Sequence, residues 1–240
     1  IMPFLTHPAF DPHDQYSIPY FWGTTLIAIN TQLLPHAHVR RWRDLWSPRF
    51  KQKLLLLDEP REVFAMALLT LGYPINDNNP EHIKAAFLQL IKLIPNIKLF
   101  NEMQIKSIYL NNDAAIGMAL NGDLFQAWQY NPHLQAVYPA EGAIVWTDCM
   151  VIPKHAPHPD NAYRFINFIM QPTIAARLSK ETGYATPNTA ALALLPRAIR
   201  SNPRLYPTAL QRKRAHLESH LDPKINQLML RYWERLKLMI

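Results

Sequence analysis

Two groups of residues have types and spacings that could support ligand chemistry: one pairs an aromatic with an acidic side chain, and the other holds three carboxylates. In the first, Trp146 and Asp148 stand two positions apart in the apolar, β-branched stretch 142–153, which is typical of a buried strand. In a strand, side chains two positions apart point to the same face. An aromatic ring beside a carboxylate suits a cation that carries an apolar body. The alternative is a core tryptophan beside a hydrogen-bonded aspartate at a strand end.

The second group is Asp58, Glu59 and Glu62, which follow the apolar run 54–57 and surround Pro60. Proline suits the first turn of a helix, and acidic residues there offset the positive end of the helix dipole. That structural role explains the three carboxylates well. A ligand-binding role is the alternative, because α/β sheets bind ligands where the carboxyl end of a strand meets the start of a helix.

The composition limits the possible classes of protein. The chain has 240 residues, of which 49% are hydrophobic and 18% are charged, so a packed core is expected. No apolar run reaches the roughly 18 residues of a membrane-spanning helix, and no signal peptide is visible at the start. The single Cys149 excludes an internal disulfide and a multi-cysteine metal site. The net charge of +7 suggests nucleic-acid binding as a hypothesis. The cations are scattered along the chain, however, and we expect no nucleic-acid partner.

Hydrophobic periodicity and Pro/Gly breakers predict an alternation of strands and helices, which indicates the α/β class. We predict strands at 18–30, 54–57, 97–100, 114–119, 135–138 and 142–153. We predict helices at 61–69, 80–94, from 121–123 through Trp128, and at 160–170, 173–180, 189–194 and 224–238. The 160–170 helix is predicted because Ala162, Phe165, Ile166 and Ile169 fall on one of its faces.

Several short segments occur together in the order and spacing of one protein family. They are residues 17–23 (SIPYFWG), 45–46 (LW), 58–64 (DEPREVF), 141–142 (EG), 146–148 (WTD) and 183–188 (GYATPN). On these segments the chain resembles the periplasmic spermidine/putrescine-binding proteins of polyamine ABC transporters, within the bacterial extracellular solute-binding proteins. The similarity runs from about residue 9 to the end, so the chain looks like an N-terminally truncated member.

The resemblance implies an α/β, periplasmic-binding-protein-like (type II) fold of two lobes with the ligand between them. Residues 24–147 plus 193–240 would form lobe 2, nearly complete. Residues 148–192 would form the C-terminal part of lobe 1, which lacks its N-terminal part. Residues 1–23 would be a residual segment of lobe 1 and a crossing strand.

The resemblance also implies the function, that of the substrate-binding subunit of an ABC importer for spermidine or putrescine. It implies periplasmic localisation, permease subunits as partners, and neither cofactor, metal nor catalytic residues. The ligand-binding positions carried over are Glu59, Glu62, Trp146, Asp148, Tyr184 and Glu218. This chain departs from the family in having Glu59 for aspartate, Glu218 for glutamine and Leu120 for a tryptophan wall.

Three alternatives stay open from the sequence. The chain could be a truncated, binding-impaired remnant or a split half of such a receptor, or it could bind another organic cation. An enzyme that cleaves glycosides with Glu59, Glu62 and Asp148 is a further possibility, although no catalytic motif accompanies these carboxylates. The preferred polyamine does not follow from the sequence.

Overall fold

The computed structural model describes all residues 1–240, and its centre is one seven-stranded mixed sheet. The strands are β1 (Ser17–Asn30), β2 (Leu54–Leu56), β3 (Ile97–Phe100), β4 (Ile116–Leu120), β5 (Leu134–Val137), β6 (Ile144–Val151) and β7 (His216–Leu217). They lie in the order β3-β2-β4-β1-β6-β7, and β5 also pairs with β1. The α/β class predicted from the sequence is therefore confirmed.

Ten helices surround this sheet. They are α1 (Pro60–Thr70), α2 (Pro80–Ile91), α3 (Ile105–Leu110), α4 (Asn121–Trp128), α5 (Pro159–Ile169), α6 (Pro172–Thr182), α7 (Thr189–Leu194), α8 (Arg197–Arg200), α9 (Ala209–Arg214) and α10 (Pro223–Lys237). Every predicted strand and helix is present, with ends shifted by a few residues, whereas α3, α8, α9 and β7 were not predicted. None of the ten helices is long and apolar enough to cross a lipid bilayer.

The long strand β1 joins two regions of the sheet. Its second half, Thr25–Ile29, pairs antiparallel with β4, and the stretch Ser17–Thr25 pairs antiparallel with β6. β2 lies parallel to both β3 and β4. The carboxyl ends of β2, β3 and β4 therefore meet at one edge of the sheet, and the chain segments that follow these strands are brought together there.

The main hydrophobic core fills only part of the molecule. It contains 42 buried residues, all within 26–144 and 221–236, where α1, α2 and α10 pack on the sheet. Smaller clusters lie around Trp22 and around the alanines of α6. Burial of apolar surface stabilises the fold by roughly 25 cal/mol per Å². The sheet edge and the side chains it carries are therefore held in place by the core.

The sequence prediction of a strand buried along its whole length at 142–153 is wrong. The strand β6 is buried only over its first residues, and Asp148 and Val151 are exposed. The reason is that beyond Trp146 the strand pairs with β1 alone. On α5 only Ile169 of the predicted apolar face is buried, and Phe165 is 60% exposed. The amphipathic pattern predicted the helix bounds to within a residue, but this chain covers that face only in part, since Ala162 and Ile166 are half-buried.

Candidate ligand-binding site

A pocket of about 280 Å³ lies at the edge where β2, β3 and β4 end. Four of its lining residues are acidic, two are aromatic and two are aliphatic, and none is basic. They are Glu59, Glu62, Glu102, Asp148, Trp146, Tyr184, Leu57 and Leu120. Five of the six sequence-predicted site residues are therefore brought together, although the chain carries a net charge of +7. The sixth, Glu218, does not line the pocket.

Glu59 and Glu62 are positioned by the start of α1. Pro60 is the first helical residue, and the Glu59 carboxylate caps the helix by accepting the Arg61 backbone N–H at 3.1 Å. Glu62 lies in the first turn, is only 5% exposed, and accepts a 2.9 Å hydrogen bond from the Thr25 hydroxyl. Its other oxygen, Oε2, is buried without any partner. An unpartnered buried carboxylate oxygen is costly, and Glu62 is one of the residues that line the pocket.

The surroundings of Glu62 favour its neutral form. Burial raises the pKa of Glu62 well above its ordinary value, and the charges of Glu218 and Glu59 add to the effect, while the Thr25 hydrogen bond and Arg61 oppose it. A cation placed against Glu62 would favour the ionised carboxylate. A cationic ligand would therefore offset the electrostatic cost of ionising Glu62.

Glu218 sits beside the pocket, on the guanidinium of Arg61. The Glu218 carboxylate lies 3.7 Å from Arg61 Nε, and Arg61 Nη2 donates to the carbonyl of Ser219 at 2.9 Å and to Asn76. Burial raises the pKa of Glu218, and the Arg61 charge partly offsets this rise. The structure thus places Glu218 as the partner of a nearby arginine, where it adds negative potential to the pocket without lining it.

Trp146 forms one wall and is seated on a glycine. A Cβ atom added at Gly23, its cross-strand partner, would lie 2.2 Å from Trp146 Cζ2, so glycine at this position leaves room for the indole. The ring meets Tyr184 edge to face, with centroids 5.6 Å apart and planes at 72°. The indole Nε1 is buried without a partner.

Tyr184 is held from two sides. Its hydroxyl donates a 2.8 Å hydrogen bond to the Asp123 carboxylate in the first turn of α4, and its ring fills the space above Gly122. Burial raises the pKa of Asp123, and the Tyr184 hydrogen bond opposes that rise. The loop that carries Tyr184 is fastened to β1 through the Trp22 N–H, which donates to the Ala185 carbonyl at 3.1 Å.

Asp148 lies at the open side of the pocket. Its side chain shares the pocket lining with Trp146, as their two-residue spacing in a strand predicts. Asp148 is exposed, yet partial desolvation by neighbouring atoms raises its pKa. Its charge also contributes, after burial, to a raised pKa of Tyr20. The pocket is therefore buried at Glu62, which is held by a hydrogen bond, and open to solvent at its mouth, where Asp148 lies.

Glu102 is a lining residue that the sequence analysis missed. It follows β3, and β3 lies beside β2, so Glu102 reaches the same edge as Glu59. A signal was present, because Glu102 comes two residues after the predicted strand 97–100, where α/β sheets place ligand-binding residues. The signal was insufficient without the strand order, which depends on contacts distant in sequence.

We predict that Tyr184→Phe lowers the free energy of unfolding by about 1–2 kcal/mol at pH 7, because the Asp123 carboxylate loses its donor and stays desolvated. The loss should shrink as the pH falls and Asp123 is protonated, since the neutral acid is cheaper to bury. Urea unfolding of both proteins at pH 7 and pH 4 measures this. A loss that is equal at the two pH values would show that the hydrogen bond to a charged Asp123 is unimportant.

Comparisons with known proteins show the family to which the chain is similar. The family described as bacterial extracellular solute-binding protein matches residues 4–207. The spermidine/putrescine-binding periplasmic protein of Salmonella typhimurium is 40% identical over 207 residues, which are 86% of this chain and 60% of that protein. The Escherichia coli K12 protein of the same name is 37% identical over 98% of this chain and 67% of its own length.

Solved structures give the same result for the fold. A spermidine/putrescine ABC transporter protein from Listeria monocytogenes is 34% identical, with a TM-score of 0.93 over 99% of this chain and 74% of that one. The spermidine/putrescine substrate-binding protein of Streptococcus pneumoniae has a TM-score of 0.85, also at 34% identity, and 73% of it is covered.

The chain belongs to the bacterial extracellular solute-binding proteins and has their α/β periplasmic-binding-protein fold. This confirms the family and the fold class that the short sequence segments indicated. The chain spans about 60% of the length of the Salmonella relative and about three quarters of the two solved structures. The likeness therefore covers almost all of this chain but only part of those proteins.

Proposed function

We propose that this chain is the substrate-binding part of an ABC importer for polyamines and binds spermidine or putrescine in the pocket described above. One observation carries the proposal: four carboxylates and two aromatic rings line a single pocket that has no basic residue. A polyamine is a chain of ammonium groups joined by methylenes, so it needs acidic oxygens and apolar or aromatic walls in alternation. The names of the relatives point to the same ligands.

The proposal gives each side chain a role. Glu59 and Glu62 hold one ammonium group at the start of α1, with Glu62 supplying its unpartnered oxygen. Asp148 holds a second ammonium group at the mouth. Trp146 and Tyr184 pack on the methylenes, while Leu57 and Leu120 complete the apolar wall. These roles are of binding and not of catalysis. Glu218, predicted as a ligand residue from the resemblance, supports the site through its charge and through Arg61.

We also propose the division into lobes that the resemblance implies: residues 24–147 plus 193–240 as one lobe, and 148–192 as part of another. The main core supports this division, because all its members lie within the first set. The cluster around Ala175 and Ala176 lies largely in the second set. The place of action would be the periplasm, with the membrane permease of the importer as partner.

The open mouth of the pocket predicts weak binding by these 240 residues. Ion pairs at exposed carboxylates contribute about 0–1 kcal/mol each, and an aromatic wall adds about 0.5–1 kcal/mol. The buried Glu62 adds a stronger contact. We therefore expect a total binding free energy of about 4 kcal/mol, which corresponds to a dissociation constant of about 1 mM for spermidine. This expectation is compatible with the binding-impaired receptor considered from the sequence, whose pocket keeps its chemistry.

Calorimetric titration at low ionic strength tests the proposal, with propylamine at the same ionic strength as the matched single-charge control. We expect saturable binding of spermidine and putrescine and none of propylamine. Equal heats for all three amines would contradict a polyamine site. Submicromolar binding of spermidine would contradict the open, largely solvated geometry of the mouth.

A further inference from the structure

A second cavity, of about 450 Å³, shares no lining residue with the acidic pocket. It is formed where residues 2–4 meet Trp22 of β1 and parts of the segment 192–212. Its lining contains two arginines, Arg200 and Arg212, and no acidic residue, so we call it the arginine cavity. Its volume lies within the roughly 300–1,000 Å³ that is usual for small-molecule sites.

The arginine cavity lies in a segment whose charge is entirely positive. Residues 182–217 contain six arginines and lysines and no aspartate or glutamate, so they account for +6 of the net charge of +7. None of the six forms a salt bridge; they are Arg197, Arg200, Arg204, Arg212, Lys213 and Arg214. Unpaired charges of one sign create a local potential that attracts ions of the opposite sign.

The backbone holds both cavity arginines in place and leaves most of their donors unused. Arg200 Nη1 donates to the Ala193 carbonyl of α7 at 3.0 Å, and Arg212 Nη1 donates to the Pro207 carbonyl just before α9. Each guanidinium makes this one hydrogen bond within the protein. Because a guanidinium has five N–H donors, four on each side chain are left for solvent or a ligand. A carboxylate or sulfonate can accept two parallel hydrogen bonds from one such group.

Aromatic rings form another part of the lining. The Trp22 ring meets Tyr206 and Phe4 edge to face, with centroids 6.3 Å and 4.9 Å away. The polar ends of the two inner rings are bonded within the protein. Trp22 Nε1 donates to the Thr186 carbonyl at 3.3 Å, and the Tyr206 hydroxyl accepts the Thr186 N–H at 3.2 Å. These rings therefore offer a ligand apolar surface and not a hydrogen bond.

We propose that the arginine cavity binds an organic anion in which a carboxylate or sulfonate is attached to a flat apolar body. The anionic head pairs with Arg200 and Arg212. The flat body packs on the rings of Trp22, Tyr206 and Phe4. A small inorganic anion would leave the aromatic surface unused, and a neutral hydrocarbon would leave the arginines unpaired. This site goes beyond the proposed polyamine function, because it binds the opposite charge and lies outside the acidic pocket.

An NMR titration of the 240-residue chain with benzoate, at pH 7 and low ionic strength, tests the inference. The Trp22 indole N–H signal, assigned with Trp22→Phe, should shift and saturate with a dissociation constant of about 1 mM, the scale expected for a ligand of about nine non-hydrogen atoms. Benzamide has the same ring without the charge, and acetate has the same head without the ring. Each should bind at least about tenfold more weakly than benzoate.

Arg200→Gln and Arg212→Gln should each weaken benzoate binding about three- to fivefold, because each removes one exposed cationic partner. Arg197→Gln is the matched control, since it removes an exposed arginine from α8, the helix of Arg200, outside the cavity lining. It should leave the affinity unchanged. Equal effects of all three substitutions would overturn the site. Benzamide or acetate binding as tightly as benzoate, or no benzoate binding up to about 10 mM, would also overturn it.

Discussion

Replacing Glu62 with glutamine is expected to lower spermidine affinity about thirtyfold and, in the same protein, to raise the stability of the unliganded state at pH 8. Truncating the charge of a buried, hydrogen-bonded ion pair costs about 2 kcal/mol or more, which corresponds to that factor. Glutamine keeps the acceptor for the Thr25 hydroxyl but removes a buried charge that repels Glu218 and Glu59. Binding and stability should therefore move in opposite directions.

The pH dependence has a definite sign. The pKa of Glu62 is raised in the folded protein above its ordinary value of 4.5, mainly by burial. Its favourable contribution is therefore fully present below pH 4.5 and is lost as the pH rises through the folded-state pKa. In the Glu62→Gln variant this loss disappears, so the variant's free energy of unfolding should fall less between pH 5 and pH 8 than that of wild type.

Thermal unfolding with and without spermidine, at pH 5 and pH 8, measures both effects. Glu81→Gln serves as the control, since its carboxylate is exposed and lies outside the pocket. A Glu62→Gln protein that keeps its spermidine-dependent rise in melting temperature would contradict the role of Glu62 in binding. A Glu62→Gln variant less stable than wild type at pH 8 would contradict the proposed cost of burying the ionised Glu62 carboxylate.

Gly122→Ala is expected to destabilise the protein by about 2 kcal/mol and to weaken ligand binding. An alanine Cβ there would lie 2.4 Å from Tyr184 Cδ1 and 2.6 Å from Cε1, so the ring must move and its hydrogen bond to Asp123 must break. On helix propensity alone, the change should stabilise α4 by up to about 1 kcal/mol. The clash and the propensity therefore act in opposite directions.

A double-mutant cycle separates these two terms. A Tyr184→Ala background removes the ring. The three close contacts of the added Cβ atom are all with that ring, so they are removed as well. Gly122→Ala should then become neutral or stabilising, giving a coupling free energy of about 2–3 kcal/mol between the two positions. Urea unfolding of the four proteins gives this value. Additive effects would show that Tyr184 is not seated on Gly122.

Local sequence signals were sufficient for much of the site. The two-residue spacing of Trp146 and Asp148 placed both side chains on one face, because the period of a strand is fixed by its backbone. The apolar run before Asp58 and the proline at position 60 defined the strand-to-helix junction that carries Glu59 and Glu62. Each of these predictions depends on only a few neighbouring residues.

Properties that depend on distant contacts were not accessible in the same way. Glu102 reaches the pocket only because β3 pairs with β2, some 40 residues earlier in the chain. Glu218 was carried over from the resemblance, and its pairing with Arg61 depends on where β7 docks beside β6. The exposure of α5 could not be predicted either, since a helix pattern shows which face is apolar but not what covers it.

We expect a polyamine to occupy the pocket between Trp146 and the carboxylates. Of the six tryptophans, Trp146 is the one that lines this pocket, and its buried Nε1 has no hydrogen-bond partner. The most direct test is to follow the indole N–H signals by NMR while spermidine is added, with Trp146→Phe to assign the signal. We expect the Trp146 signal to shift and saturate with a dissociation constant of about 1 mM. The Trp42 and Trp46 indoles donate to backbone carbonyls outside the pocket, so their signals should not move. A Trp146 signal that does not move up to about 10 mM spermidine, or that moves no more than the others, would contradict the account.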